Sequence, residues 1–468
     1  MAMHVDIVFV ADPRFPGGTS TALAAEIGAA RAAGLSTALV MVKSPILRKS
    51  WPVHPNLSAA ISHGDVLLVP RGMRVTCAVA VLHHPLIFQT LPTEPLGVHA
   101  ERAVLVLHQP LVDGFCTPEF DLAAVTQHAE IALGIRPTLA PVGPMVREQL
   151  TPARLGAAAT PRNVGGAARA VEVTASDWYN LINTEHWPVR PDRALFDPVR
   201  IGRHSRPHAP KWPARLDDAL AAYPDRSDFE ISMLGADRAA LTRVWGRVPN
   251  HWHLMGFGEM PVTDYLQSLD FWVFFHAPQW VEAFGRAILE AAATGLVVIL
   301  PEHFRPLFGP AAVYCRPEEV SGVIDAFRAD PARYAAQGRG ARAHVEAQFG
   351  YARFPEQIAS VHPDWYATRK ANPKSPPVVG RAPARVLMMS SNGVGLGHLT
   401  RLLAIADALP VDLEPVFFTL SQAAGLVTEA GYPVEYRPFH RQSHAAHAPW
   451  NAALAEEVSD ALAFWDAK

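Results

Sequence analysis

The feature that most constrains this chain is an alternation of short apolar runs with helical stretches, sustained along its whole length. Residues 5–10 form such a run, and the loop DPRFPGGTS carries it into an Ala-rich helix over about 20–33, which Gly34 stops before the next run at 37–42. Further runs follow at 66–69, 75–82 and 103–107. Runs this short and this apolar suit strands buried on both faces, and strands separated by helices pair in parallel. The pattern therefore predicts an α/β fold with helices on either side of a sheet. A second series starts near Pro198, with strands expected at 199–202, 229–234, 252–255, 271–275, 296–300 and 312–315 and an amphipathic helix at 332–348. Residues 151–170 show no periodicity and read as a mobile loop.

A chain of 468 residues is too long for one compact domain. It divides into an N-terminal Rossmann-like domain at 1–195, a second at 196–369, a Pro-rich basic linker at 370–384, and a third unit at 385–468. The first two join near 191–197. The third unit opens with a strand at 385–389, a Gly-rich loop and a helix, then a strand at 414–419 and a tail at 452–468 of helical periodicity. These elements are too few to close a sheet. The unit is expected to be incomplete, to pack loosely or borrow the surface of the first two, and to continue in the natural polypeptide or an adjacent reading frame.

A net charge of −3 and a pI near 6.7 give no basic field for nucleic acid. The three cysteines, Cys77, Cys116 and Cys315, are far apart and odd in number. That predicts neither a disulfide framework nor a zinc site and fits a reducing compartment. The N-terminus lacks a basic n-region, and no run approaches the roughly 18 apolar residues of a membrane span. A cytoplasmic protein is expected.

The chemistry concentrates in APQWVEAFGRAILEAAATGLVVILP, residues 277–301. Phe284-Gly285 opens a helix, Gly295 closes it, and a buried strand follows. The open N–H groups of such a helix start attract phosphate. Glu282 lies just before the helix and Glu290 two turns into it, a spacing suited to gripping sugar or ribose hydroxyls. In the loop RIGRHSRPHAPKWP, 200–213, Arg203 and Lys211 would project from a strand's carboxyl end, where open α/β sheets bind ligands. Fixed cations there stabilise charge developing on a leaving group. Arg206, His204 and His208 lie in the same loop. The turn Pro16-Gly17-Gly18-Thr19 lets backbone approach a ligand, and His108 ends the strand VLVLHQP. His83 and His84 end another strand. His440, His444 and His447 read as solvated, and no metal site is expected.

The pattern E-x-F-G-x-x-x-x-E-A followed by T-G-x-x-V resembles glycosyltransferase family 4, to which residues 1 to about 365 are similar. The resemblance implies the GT-B fold, two Rossmann-like parallel-sheet domains facing a cleft, with the donor mostly on the second domain and the acceptor mostly on the first. It implies hexosyl transfer from a nucleotide-diphosphate sugar to a saccharide or lipid-linked acceptor in polysaccharide biosynthesis. It further implies retention of configuration, no bound metal or other cofactor, and room for peripheral contact with the inner membrane.

Carried over residue by residue, Glu290 would hold the nucleotide ribose and Glu282 the donor sugar. The backbone of Phe284 and Gly285 would lie against the donor phosphates, and Arg203 and Lys211 would neutralise the leaving diphosphate. Gly17 and Gly18 would face the cleft beside donor or acceptor, with His108 at a strand end in the same cleft. No nucleophile pair is visible near the motif, so front-side displacement assisted by the leaving phosphate is the expected route. Two departures stand out. The Gly-Gly-x-x-E turn common in the family is replaced by EHFRPLFGP at 302–310, and Gln279 stands where a Ser is usual.

The stretch RVLMMSSNGVGLGHLTRLLAIADALP resembles the opening of glycosyltransferase family 28, with Gly393, Gly395, Gly397 and His398 at the matching positions of a second donor-binding unit. A GT-B nucleotide-sugar epimerase and a non-catalytic glycan-binding scaffold are the alternatives, and the intact Glu290 argues against the scaffold.

Overall fold

The computed structural model describes residues 3–47, 51–69, 73–92, 95–151, 172–190, 197–372, 383–390, 396–410 and 412–468. The loop expected at 151–170, the domain junction, most of the linker, and Gly393 and Gly395 lie wholly or largely outside these residues.

The first domain is built on six parallel strands: β1 (Met3–Ala11), β2 (Thr37–Met41), β3 (Leu67–Leu68), β4 (Val75–His83), β5 (Val98–Leu107) and β6 (Thr138–Pro141), in the order β3-β2-β1-β4-β5-β6. The central strands are covered on both faces, so Ile7, Val8, Phe9, Val79, Val81, Val104 and Leu105 are fully buried. That burial is why they read as unbroken apolar runs. β6 was not foreseen. It is four residues long and ends on Pro141, and proline is tolerated at a sheet only on an edge such as this one.

The second domain repeats the plan. β7 (Val199–His204), β8 (Phe229–Leu234), β9 (His253–Met255), β10 (Phe271–Val273), β11 (Val297–Leu300) and β12 (Val313–Tyr314) form a parallel sheet in the order β12-β11-β10-β7-β8-β9. All six correspond to expected runs. Numbered from its own first strand, each sheet reads 3-2-1-4-5-6. Each therefore has one switch point, between β1 and β4 and between β7 and β10, where the loops part and leave a crevice. After the helix Pro331–Phe349, two unforeseen helices, Phe354–Val361 and Pro363–Ala371, return to the first domain. There Phe354 and Ile358 are fully buried in the core that holds β1 and β4. Arg369 grips Asp6 through Nε and Nη2 at 3.1 and 3.2 Å. These helices cross between domains, so packing and not local periodicity decides where they end.

The third unit is a three-stranded parallel sheet, β13 (Ala384–Ser390), β14 (Leu413–Thr419) and β15 (Val434–Tyr436), in that order. β15 was not foreseen because three residues carry no readable period. On the other edge of β13, Lys468 N donates to Arg385 O at 3.0 Å and Leu387 N donates to Lys468 O at 2.9 Å. That is the place a fourth strand takes in the two complete sheets. The unit leans on the first domain through the helix His447–Trp465. Asp460 accepts from Arg14 at 2.7 Å and Lys43 at 3.1 Å, and both cations lie over the Phe464 ring. The borrowed surface anticipated for this unit is thus a specific ionic and aromatic contact. No described helix is long and apolar enough to cross a membrane.

Candidate functional site

The two switch points open into one cavity of ≈ 370 Å³ between the domains. The first domain contributes Gly17, Gly18 and His108, and the second contributes Arg206, Lys211 and the stretch from Glu282 to Glu290. Two helices begin at this cavity, Gly18–Ala32 and Arg286–Ala293, with Gly17 and Gly285 as N-caps and no capping side chain on either. Apart from Ile288 N, which donates to Gly285 O at 2.9 Å, their first-turn N–H groups have no acceptor within the helix and carry the positive end of the peptide dipole. One such end from each domain faces the same space, an arrangement suited to an anion held between them. Both caps require glycine. Gly17 has φ +82° and Gly285 φ +90°. A Cβ on Gly17 would lie 2.9 Å from Arg206 Cδ, and one on Gly285 would lie 2.7 Å from Ile288 Cδ1.

Of the two carboxylates of the motif Glu290 is buried and Glu282 half-buried, and each is held by different partners. Glu290 Oε1 accepts from Arg286 Nε at 3.0 Å, an i,i+4 pair, and Oε2 lies 3.0 Å from His204 Nε2. Trp272 Nε1 donates to His204 Nδ1 at 3.1 Å. An indole N–H only donates, so Nδ1 is an acceptor and His204 carries its proton on Nε2, aimed at Glu290. Burial alone would push the Glu290 carboxyl up, but the His204 hydrogen bond and the Arg286 charge outweigh it and hold it below the usual carboxylate range. Glu282 accepts from Lys211 Nζ at 2.8 Å and Trp280 Nε1 at 3.0 Å. Its carboxyl too would rise through burial and is instead held low, chiefly by the Lys211 charge. The same burial pulls the Lys211 ammonium down, with Glu282 opposing. Each carboxylate has lone pairs beyond those used here, so both can accept further hydrogen bonds.

Of the residues singled out from sequence, Glu282, Glu290, Lys211, Phe284, Gly285, Gly17, Gly18 and His108 all line this cavity. Phe284 does so by its backbone, since its ring packs on Phe308 and Phe349 with centroids 5.9 and 5.6 Å away. Arg203 is a correction. It is fully buried, its guanidinium lies 4.4 Å from the Trp212 ring centroid and 4.2 Å from that of Phe274, and Nη1 donates to Phe275 O. Successive strand residues face opposite sides of a sheet. At the end of β7 it is therefore His204 that faces the cavity, and Arg206, beyond the strand, supplies the lining cation in place of Arg203.

Gly397 and His398 begin the helix Gly397–Asp407 in the third unit and are exposed, away from this cavity. Residues not assigned from sequence are His204, Arg206 and Arg286. Arg286 directly follows the Phe-Gly pair and stands four residues before Glu290, a spacing that places the two on one helix face. Arg286 Nη1 also donates to Leu181 O and Arg206 Nη1 to Pro16 O, so both cations bridge the domains at the cavity.

No protein-family model matches the chain, and no curated protein matches it in sequence. Solved structures do resemble it. Anabaena Alr3699/HepE, in complex with UDP and glucose, superposes with a TM-score of 0.50 at 16% identity, over 76% of this chain and 98% of that one. An alpha-glucosyltransferase in complex with UDP and a 13-mer DNA containing a HMU base does so with a TM-score of 0.50 at 11% identity, over 76% and 99%. At these identities the likeness is one of fold: two Rossmann-like parallel-sheet domains facing a cleft, the GT-B architecture.

Proposed function

We propose that the chain transfers a sugar from a nucleotide-diphosphate sugar, in the manner of glycosyltransferase family 4. The observation that carries this reading is the convergence of two uncapped helix N-termini, one per domain, on a cavity whose far wall holds two ionised, pre-oriented carboxylates. The helix ends, with Arg206 and Lys211, suit a diphosphate. Glu290 suits the ribose, and Glu282, beside Lys211, the sugar. UDP is the first nucleotide to test, since both similar structures contain it. The first domain, with His108 and the Gly17-Gly18 turn, would receive a saccharide or lipid-linked acceptor.

In the reaction the anomeric C–O bond to the diphosphate breaks on the same face as the acceptor oxygen attacks, and the acceptor proton passes to the departing phosphate oxygen. Fixed cations and dipoles stabilise the charge that develops on the diphosphate.

Isothermal titration with UDP, GDP and ADP tests the reading. One of them is expected to bind with Kd in the micromolar range, and the matching nucleotide sugar to be hydrolysed slowly without acceptor. Binding of none of them overturns it. Turnover is also expected to survive EDTA, because protein cations take the place of a metal on the diphosphate. Loss on chelation, restored by manganese or magnesium, would contradict that assignment.

A further inference from the structure

Behind His108 the first domain buries two linked ionisable groups, Glu26 and His83, that no role above requires. Glu26, in the middle of the helix Gly18–Ala32, is fully buried, as is His83, the last residue of β4. Glu26 Oε1 accepts from Trp178 Nε1 at 3.2 Å, and Oε2 lies 3.2 Å from His83 Nε2. His83 Nδ1 lies 3.0 Å from His108 Nε2, and the two imidazoles stack at 24° with centroids 5.2 Å apart. The His84 ring lies 6.3 Å from that of His108. β4 and β5 are adjacent parallel strands, and the line runs from their carboxyl ends to the cavity, where it finishes in His108.

A glutamate at such a place costs several kcal/mol unless its charge is balanced or its proton retained, and an apolar side chain would fill the space without that cost. Trp178 only donates and cannot balance charge, so balance must come through His83. Two arrangements leave the buried pair neutral overall. Either Glu26 keeps a proton and donates it to His83 Nε2, or it passes that proton to Nε2. In both, the second proton of the pair sits on His83 Nδ1 and is donated to His108 Nε2. His108 is held neutral, because burial and then the charges of His83 and His84 push its imidazole well below the usual range. With Nε2 accepting, its one proton must be on Nδ1, the nitrogen left for the cavity.

We infer that Glu26 and His83 are positioning residues that set the His108 tautomer, so that His108 presents an Nδ1–H donor to an oxygen of the bound sugar. The sugar half of this inference rests on the nucleotide-sugar reading above; the tautomer half does not.

The experiment is nitrogen-15 and carbon-13 NMR of histidine-labelled full-length protein, with calorimetry of UDP and UDP-glucose on the same samples. Wild type is expected to show His108 protonated on Nδ1. Glu26→Gln is expected to keep that signature and bind UDP-glucose within about twofold, since an amide N–H donates to His83 Nε2 as a protonated Glu26 would. Glu26→Met is expected to lose the signature and bind UDP-glucose about tenfold more weakly, the worth of one hydrogen bond, with UDP unchanged. His108 protonated on Nε2 in wild type overturns the inference, and so does a folded Glu26→Met that keeps the Nδ1 proton. The wild-type spectrum decides even if Glu26→Met fails to fold. If wild type binds neither ligand, the same comparison is made with the GDP or ADP sugar that does bind; if it binds none of the three nucleotides, the nucleotide-sugar reading fails and takes with it the sugar contact, while the tautomer is still read directly.

Discussion

Glu290 carries most of what the residue scale can test. It is buried, has a charged partner on one oxygen and an oriented imidazole on the other, and sits in the helix Arg286–Ala293. Glu290→Gln keeps the shape and an acceptor for His204 but removes the charge. A hydrogen bond to a charged group is worth about 1.5–3 kcal/mol, so UDP affinity measured by calorimetry is expected to fall at least tenfold in a folded variant. Unchanged affinity would place the ribose elsewhere. Glu282 is the better probe of pH. Its carboxyl titrates below the ordinary value of 4.5 in the folded protein, so the ionised group contributes stability that is complete above about pH 4.5 and is lost as pH falls through the lower folded value. Denaturant titrations of wild type and Glu282→Gln should therefore differ by a constant amount from pH 7 to 5, with the gap closing only below 4.5. A gap that closes between pH 7 and 5 would mean that the carboxyl is not held low by Lys211.

At the scale of elements, the second helix start depends on one backbone conformation. Gly285 has φ +90°, and a Cβ there would meet Ile288. Gly285→Ala is expected to cost about 1–2 kcal/mol in stability from the left-handed backbone alone and to weaken UDP binding by moving the first turn. Gly18→Ala is the control for stability, since its φ is ordinary and its Cβ would meet Arg286 Cβ at an unstrained 3.5 Å. Equal thermal midpoints for the two variants would show that the Gly285 conformation is not needed. The elements themselves were legible in proportion to their length and burial. Long central strands announced themselves as apolar runs, whereas β6 and β15, short and at edges, did not. The helices Phe354–Val361 and Pro363–Ala371 escaped because their partner surface, the first sheet, lies more than two hundred residues upstream of Phe354.

The whole molecule adds the question of what the third unit does to the other two. Its helix places Asp460 on Arg14, a side chain only 1% exposed that also pairs with Asp12 at 2.8 Å. Cutting the chain after residue 372 would strip one carboxylate and the Phe464 ring from that cation. Among the described residues, none beyond Glu290 lines the cavity. The shortened protein is therefore expected to melt a few degrees lower, the effect of about 1–2 kcal/mol in a chain of this size, and to bind UDP as the full chain does. Unfolding of the remainder would make the third unit an integral part of one fold, and weakened UDP binding would couple it to the cleft.

By itself the sequence determined the layered α/β plan, the doubled sheet and the helix after Phe284-Gly285, because each is written in contiguous residues: burial on both faces leaves an apolar run, and an N-cap at φ +90° selects the glycine found at 285. The tertiary structure decided which side chains complete the site. Trp272 and His204, on neighbouring strands, meet Glu290 on a helix, and Glu26, His83, His108 and Trp178 meet across a sheet and its covering layer, at separations in sequence that no local period records. The exchange of Arg203 for Arg206 has the same origin. Both are cations in one loop, and only the face of β7 that packs against Trp212 and Phe274 determines which of them is buried and which reaches the cleft.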